Sequence, residues 1–146
     1  VDFLFSFIIY IIASIFLGNP ITLNILLIPI VLFFVCLFSL GLGLIFASNS
    51  IRYKDLQHVG PLIVQYGFFV TPVIFSIQSV NFDRYIDIYY WINPLVGIIE
   101  FGRFLLLNNY DINFIQIAYS LISSVILFVV GVIVFIKKES SFIDYL

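Results

Sequence analysis

Charged side chains are so unevenly spaced that they divide the chain into long uncharged stretches. None occurs between Asp2 and Arg52. That stretch is broken once, at Gly18-Asn19-Pro20, a combination typical of turns. An α-helix needs about 20 predominantly apolar residues to cross the hydrocarbon core of a membrane. We therefore predict two membrane-spanning helices, a slightly short one near residues 3–17 and a longer one near 23–47.

Further apolar stretches of the same kind follow a short polar segment. Residues 59–78 form one of them, and Pro72 inside it predicts a kink in the helix or the end of its regular hydrogen bonding. Residues 114–136 carry no charge and form the clearest span, whereas residues 88–107 are apolar but interrupted by polar residues. The pattern predicts an all-α, polytopic transmembrane protein with a single domain over residues 1–146.

The composition excludes most soluble folds. Hydrophobic residues make up 63% of the chain and charged residues only 10%, whereas soluble domains are near half apolar and about a quarter charged. A small domain cannot hide so large an apolar excess in its core, but a lipid environment can accommodate it. The net charge of −2 and the lack of a basic cluster argue against a nucleic-acid partner. The sequence contains no Met, so we expect Val1 to be an internal residue of a longer protein.

Five residues that are polar, charged or unfavourable inside a helix set the interrupted stretch apart: Asn93, Pro94, Gly97, Glu100 and Arg103. A charge at the bilayer centre costs about 2.5–3.5 kcal/mol, and Asn followed by Pro favours a turn and then a helix start. We therefore predict a re-entrant hairpin that dips into the membrane and returns. Glu100 and Arg103 are three residues apart and can pair on one helix face. Whether that pair serves a pathway or only the hairpin's structure stays open.

The distribution of basic residues predicts the topology. With four crossings, the loop that contains Arg52 and Lys54 lies on the same side as Lys137 and Lys138, whereas five crossings would separate them. Lys and Arg are in excess on the cytoplasmic side of membrane proteins. We therefore predict four crossings, both ends cytoplasmic, residues 79–113 outside, and a location in the cytoplasmic (inner) membrane.

The inner loop contributes a second group of candidate residues. These are Asn49, Arg52, Tyr53, Lys54 and Asp55. One interpretation is a solvated, positively charged loop of the kind common on the cytoplasmic side. The other is a docking surface for a cytoplasmic partner, and the sequence leaves both open.

Aromatic residues form a third group, on the third apolar stretch: Tyr66, Phe68, Phe69 and Phe75. Lipid contact is the ordinary role of such residues, but aromatic faces can also stack on sugar rings along a pathway. The second stretch has small residues at Ser39, Gly41, Gly43 and Ser48, which predict close packing against another helix.

The sequence has none of the short motifs that indicate phosphate binding or hydrolysis. GxxxxGK[ST], HExxH and GxSxG are all absent, and no cluster of residues has the spacing of metal ligands. We therefore predict no catalytic residue, cofactor site or metal site in this chain.

Three stretches in order carry a resemblance to a known family: residues 47–55 (ASNSIRYKD), 69–75 (FVTPVIF) and 93–103 (NPLVGIIEFGR). Together they resemble the C-terminal part of permease subunits of type 2 ABC transporters, in the branch that exports polysaccharides, O-antigens, capsules and teichoic acids. The tail, residues 138–144, is similar to the usual ending. The sequence departs from the family's pattern at Lys54, where Arg is usual, at Thr71 for Ser, at Phe75 for Tyr and at Ile143 for Ala.

The resemblance implies half of a transport channel. A second copy of the permease would complete the channel, and cytoplasmic ABC ATPase subunits, which bind ATP and Mg²⁺, would drive it. The substrate would be a lipid-linked polysaccharide, with residues 88–107 as the outer gate. Two alternatives remain open from the sequence: a permease of the same superfamily that exports drugs or small lipids, and a membrane-bound transferase acting on lipid-linked sugars.

Overall fold

The computed structural model describes residues 2–18, 23–50, 53, 55–77, 85–107 and 110–139. Within these ranges every regular element is helical, which agrees with the predicted all-α class. The α-helices are α1 (Asp2–Phe16), α2 (Ile28–Ser50), α3 (Leu56–Val70), α4 (Ile86–Ile92), α5 (Pro94–Leu106) and α6 (Phe114–Glu139), and a 3₁₀ helix (Leu23–Leu27) leads into α2.

Two helices among the described residues are long and apolar enough to cross a membrane. They are Leu23–Ser50, which combines the 3₁₀ helix with α2, and Phe114–Glu139. At 1.5 Å per residue, the 26 residues of α6 extend about 39 Å, which exceeds the hydrocarbon thickness of a bilayer. Phe3–Phe16 is a shorter apolar helix. The predicted break between the first two stretches begins at Gly18, whose φ of 70° is one that glycine adopts without steric strain.

The main packing interface of the molecule joins α2 and α6, which run parallel. Gly41 and Gly131 face each other so closely that a Cβ on Gly131 would lie 2.5 Å from the Gly41 carbonyl oxygen. Further along both helices, Lys138 Nζ donates to Asn49 Oδ1. These two pairs of residues follow each other in the same order along both helices, so α2 and α6 run parallel. The C-terminal ends of α2 and α6 therefore lie together.

Only part of the predicted small-residue surface of α2 takes part in this interface. Gly41 and Ser48 are buried and lie seven residues apart, so they share a helix face. Ser39 is exposed, and a Cβ on Gly43 would meet nothing within 4 Å. The prediction of close packing is confirmed for Gly41 and wrong for Ser39 and Gly43, because these two point away from α6.

The third apolar stretch does not form one kinked helix. α3 ends at Val70, and Thr71 is extended, with φ −95° and ψ 139°. The residue before a proline is disfavoured in the helical region, so Pro72 ends the helix, which is one of the two predicted outcomes, and the predicted kink does not form. Residues 71–77 form turns and a short 3₁₀ segment, so the helix is shorter than the predicted 59–78.

The interrupted stretch forms two helices, α4 and α5, that meet at Asn93. Asp87, near the start of α4, accepts a hydrogen bond from Gln116, at the beginning of α6. Further on, Tyr90 of α4 and Gly97 of α5 both bond to Ser120. The α4–α5 hairpin thus descends beside α6 and turns back. Its tip reaches at least the level of Ser120, about 9 Å along the helix from Phe114.

The hairpin lies beside the N-terminal halves of α2 and α6. α5 packs against both helices, and a Cβ on Gly102 would touch Val31 near the start of α2. The Lys138–Asn49 contact lies at the opposite end of the bundle, where α2 and α6 have their C-terminal ends. Many large apolar side chains on α1 and α3 point outward, including Phe16 at 87% and Val64 at 77% exposure. Such surfaces are stable against lipid or another protein rather than against water.

We predict that Gly131→Ala destabilises the protein and that Gly43→Ala does not. The new Cβ at 131 would meet the Gly41 backbone, which cannot move away unless the helices separate. Overpacking of this kind costs about 1–3 kcal/mol, whereas Gly43→Ala gains up to ~1 kcal/mol of helix propensity. Thermal unfolding of both variants in detergent measures the difference. Equal midpoints would contradict the close α2–α6 approach.

Candidate functional site

The predicted ion pair forms on α5. Arg103 Nη1 donates to Glu100 Oε1 at 2.7 Å, one helical turn apart. The Glu100 side chain is 4% exposed and the Arg103 side chain 20% exposed. The pairing expected from their spacing is therefore confirmed, and the carboxylate is the more deeply placed partner.

Arg103 also binds the turn that follows α3. Its Nη1 donates to the carbonyl oxygen of Phe75 at 3.0 Å, and its Nη2 donates to that of Val73 at 2.9 Å. Pro72 ends the helix, so these carbonyls have no partner within it. The planar fork of the guanidinium reaches the acidic side chain and two carbonyls at once, which a lysine ammonium on a single atom cannot do as well.

Tyr110, in the segment between α5 and α6, completes the cluster. Its hydroxyl donates to Glu100 Oε2 and lies 2.7 Å from Ser76 Oγ. Burial raises the pKa of Tyr110, and the hydrogen bond to Glu100 raises it further. The phenol therefore stays protonated at neutral pH and remains a donor to the carboxylate. Sequence reasoning missed Tyr110, because its partners lie 10 and 34 residues away.

Asn93 and Pro94 begin α5 as predicted, and Asn93 also bonds to the residue that follows α3. Asn93 Oδ1 accepts from the Leu95 N–H at 3.2 Å as an N-cap, and Pro94 occupies the first turn. Asn93 Nδ2 donates to Thr71 Oγ1 at 3.0 Å. The hydroxyl of Tyr89 donates to the Val70 carbonyl. The end of α3 is thus bonded to both arms of the hairpin.

Gly97 is the point where α5 approaches α6 most closely. A Cβ there would lie 2.5 Å from both Cβ and Oγ of Ser120. Ser120 Oγ accepts from the Gly97 N–H at 3.2 Å and donates to the Tyr90 carbonyl at 2.8 Å. One buried hydroxyl therefore holds both arms of the hairpin. The small buried residues of α6, which sequence reasoning also missed, are Ser120, Ser123, Ser124 and Gly131.

The inner-loop candidates lie at the opposite end of the bundle. Asn49 bonds to Lys138 and, through Nδ2, to the Ile45 carbonyl at 2.7 Å. Tyr53 is 53% exposed, and Asp55 precedes α3 without a capping bond from its side chain. The other two candidates of this group, Arg52 and Lys54, lie outside the described residues.

The aromatic candidates are not part of the ion-pair cluster. Tyr66, Phe68 and Phe69 are 65%, 45% and 66% exposed on α3. Phe75 is half-buried and contributes only its carbonyl oxygen to the cluster. The exposed aromatic rings face whatever surrounds α3, so a pathway role for them stays a prediction.

The ion-pair cluster of Glu100, Arg103 and Tyr110 is suited to holding structural elements in position. Among the described residues, every buried side-chain nitrogen and oxygen has a hydrogen-bond partner. Within the same ranges no group of three or more His, Cys, Asp or Glu side chains could hold a metal ion. A satisfied acid–base pair of opposite charge is suited to fixing the hairpin in place.

Comparison with known proteins now identifies the family. The sequence model described as "ABC-2 type transporter" matches residues 1–107. The chain belongs to the ABC-2 type transporter family. ABC-2 permeases are membrane proteins that work in ABC transporters together with ATPase partners, and the two long apolar helices agree with this assignment.

The similar curated proteins carry the names of export and transport proteins. The O-antigen export system permease protein RfbA of Klebsiella pneumoniae is 29% identical over 125 residues, covering 82% of this chain and 45% of the relative. RfbA of Myxococcus xanthus is 27% identical over 77 residues, which are 53% of this chain and 30% of the relative. The polysialic acid transport protein KpsM of Escherichia coli is 23% identical over 103 residues, 70% of this chain and 39% of the relative.

This ABC-2 chain spans less than half of the length of these curated relatives. No solved structure matches the chain at a comparable level of significance. The resemblance to ABC-2 permeases of the polysaccharide-export branch, expected from the sequence, is thus confirmed.

We predict that Glu100→Gln lowers the free energy of unfolding by about 2–3 kcal/mol. Breaking a buried pair costs about 3–5 kcal/mol, and the partial exposure of Arg103 reduces that figure. Tyr110→Phe, which removes only a hydroxyl, should cost about 1 kcal/mol. Denaturant titrations of the two purified variants measure these losses in the free energy of unfolding.

The double variant Glu100→Gln/Arg103→Gln serves as the control for this prediction. Its cost should be smaller than the sum of the costs of Glu100→Gln and Arg103→Gln, because each single variant leaves the other charge without its partner. If the two single costs simply added up to that of the double variant, the two side chains would not stabilise each other, and the interpretation of the pair would be wrong.

Proposed function

We propose that this chain is the membrane part of a permease that exports lipid-linked polysaccharide, such as an O-antigen, capsule or teichoic acid precursor. Membership of the ABC-2 family supports an export role. The names of the relatives, an O-antigen export permease and a polysialic acid transport protein, support the glycan as cargo. The chain itself supplies the membrane passage, and ATP and Mg²⁺ bind to the partner ATPase.

The proposed topology has four crossings, formed by α1, α2, α3 and α6, in the cytoplasmic membrane. The observation that carries it is the parallel packing of α2 and α6, with Lys138 bonded to Asn49. Two parallel spans need an odd number of return crossings between them, and α3 provides one. The α4–α5 hairpin then enters and leaves on one side. The positive residues near the ends of α2 and α6 assign that end to the cytoplasm.

In this topology the hairpin forms the outer gate. Its tip, around Asn93, reaches past the first turn of α6, and both of its arms rest on Ser120. The Glu100–Arg103 pair lies on the arm that returns to the outer surface. Polar groups at membrane depth are expensive unless they are paired and commonly mark a transport pathway. A hairpin whose polar side chains are paired within the protein is suited to opening for a glycan.

The exposed faces provide the partner surfaces of the proposal. A second copy of the permease covers part of the apolar surface of α1 and α3, and lipid covers the rest. The loop with Tyr53 and Asp55, beside Arg52 and Lys54, faces the ATPase subunit. The exposed rings of Tyr66, Phe68 and Phe69 are placed to contact either the glycan or lipid chains.

We expect the intact permease to co-purify with an ABC ATPase and, when both are reconstituted in vesicles, to move a lipid-linked glycan in an ATP-dependent way. The ATP dependence is expected because ABC transporters are driven by their ATPase subunits. Transport is measured as the glycan's accessibility to a glycosidase on the far side of the membrane. Export of small lipids or drugs with no glycan movement would contradict the substrate assignment.

A matched pair of glycine variants on α5 tests the gate. Gly97→Ala forces α5 away from Ser120, whereas Gly102→Ala only brings a Cβ to 3.7 Å from Val31. We expect Gly97→Ala to lower export about ten-fold, equivalent to about 1.4 kcal/mol, and Gly102→Ala to leave it unchanged. Both variants should still bind the ATPase, because the hairpin lies at the opposite end of the bundle. Equal export by both variants would argue against the gate.

A further inference from the structure

The two ends of α3 are held to the rest of the protein very differently. None of the 15 residues of α3 is buried, and the helix packs mainly against α2. Directly after it, Thr71 is 3% exposed, Ile77 is 5% exposed, and Pro72 is among the most deeply buried residues. The helix α3 is therefore weakly packed, whereas the turn that follows it is firmly held.

Side chains from beyond α3 hold that turn. Tyr89 donates to the Val70 carbonyl, and Asn93 donates to Thr71 Oγ1. Arg103 donates to the Val73 and Phe75 carbonyls, and Tyr110 bonds to Ser76. We use "clasp" for the four side chains of this set: Tyr89, Asn93, Arg103 and Tyr110.

The clasp is distributed over both arms of the hairpin and the segment that follows. Tyr89 belongs to α4, Asn93 is the junction, and Arg103 is near the end of α5. The hydrogen bonds of the clasp therefore attach the turn after α3 to the whole hairpin. By comparison, the hairpin's polar attachment to α6 is concentrated at Ser120 and at the exposed Gln116–Asp87 bond.

We propose that the clasp makes the hairpin follow α3, so that Arg103 acts as a positioning residue that transmits movement of α3 to the gate. This inference rests on the proposed function, in which α3 starts at the ATPase side and ends at the outer side. The 15 residues of α3 extend about 22 Å and move as a rod. A displacement at its cytoplasmic end then reaches the hairpin through the clasp.

Arg103 is the central member because of its geometry. It alone contacts two carbonyls of the turn and an acidic side chain of α5 together. Glu100 neutralises its charge and receives Tyr110 on the other oxygen, so the carboxylate links two members of the clasp. Lysine would keep the charge but would lose the fork, which makes Arg103→Lys a conservative test of the geometry.

The test uses the intact permease with its ATPase in lipid vesicles. A Cys36→Ala background removes the exposed free cysteine. A nitroxide spin label is placed either at Val64→Cys on α3 or at Ile88→Cys on α4, positions that are 77% and 53% exposed. Electron paramagnetic resonance line shapes are recorded without nucleotide and with ATP plus vanadate.

The proposal predicts that both labels respond to nucleotide in the parent protein. In Arg103→Gln the Val64 label should still respond, while the response of the Ile88 label is lost. Arg103→Lys and Tyr110→Phe should reduce the Ile88 response without changing that of Val64. Gln116→Leu, the matched control, removes the 3.0 Å bond between the hairpin and α6 and should leave both responses intact.

The possible failures are distinguishable. A full Ile88 response in all three clasp variants would overturn the role of the clasp, as would loss of both responses in all three. If only Arg103→Gln loses both responses, that variant is misfolded, and Arg103→Lys and Tyr110→Phe then decide the role of the clasp. A parent protein that responds at Val64 but not at Ile88 overturns the clasp alone. A parent that responds at neither position overturns the proposed ATP-driven function as well.

Discussion

The structure depends on giving every polar group of the hairpin a partner within the protein. A lipid environment supplies no hydrogen bonds, so an unpaired carbonyl or charge there costs several kcal/mol. Pro72 ends α3, Tyr89 binds the carbonyl of the last helical residue, and Arg103 binds carbonyls of the turn that follows. Glu100 balances the charge that Arg103 brings. Helix end, ion pair and hairpin therefore form one interdependent unit.

A second constraint is the close approach of α2 and α6. Apolar side chains give helices little reason to associate in lipid, so close packing of small residues becomes important. Gly41 and Gly131 let the two backbones approach, and the serines of α6 bond mostly to carbonyls of their own helix, as Ser123 and Ser124 do. Ser120 is the exception, since its hydroxyl is used by the hairpin. The parallel pair is thus both the scaffold and the seat of the hairpin.

Features that depend on neighbours in the chain were predictable from the sequence, and features that depend on distant contacts were not. The Glu100–Arg103 pair and the Asn93 cap follow from spacings of two or three residues. Pro72 allows either a kink or a helix end, and the carbonyls of the turn that follows are bound by Arg103, which is remote in sequence. Gly41 and Gly43 look alike in the sequence, and only the direction of α6 decides which one is packed. The gate role of the hairpin stays a prediction.

The most direct test of the account is the sidedness of three single cysteines in a Cys36→Ala background of the intact protein. Tyr53→Cys follows α2, Asp111→Cys follows α5, and Glu139→Cys ends α6. A membrane-impermeant maleimide should label Asp111→Cys in intact cells, and the other two only after the membrane is opened, because parallel α2 and α6 end on one side. Labelling of Tyr53→Cys and Glu139→Cys from opposite sides would contradict the account.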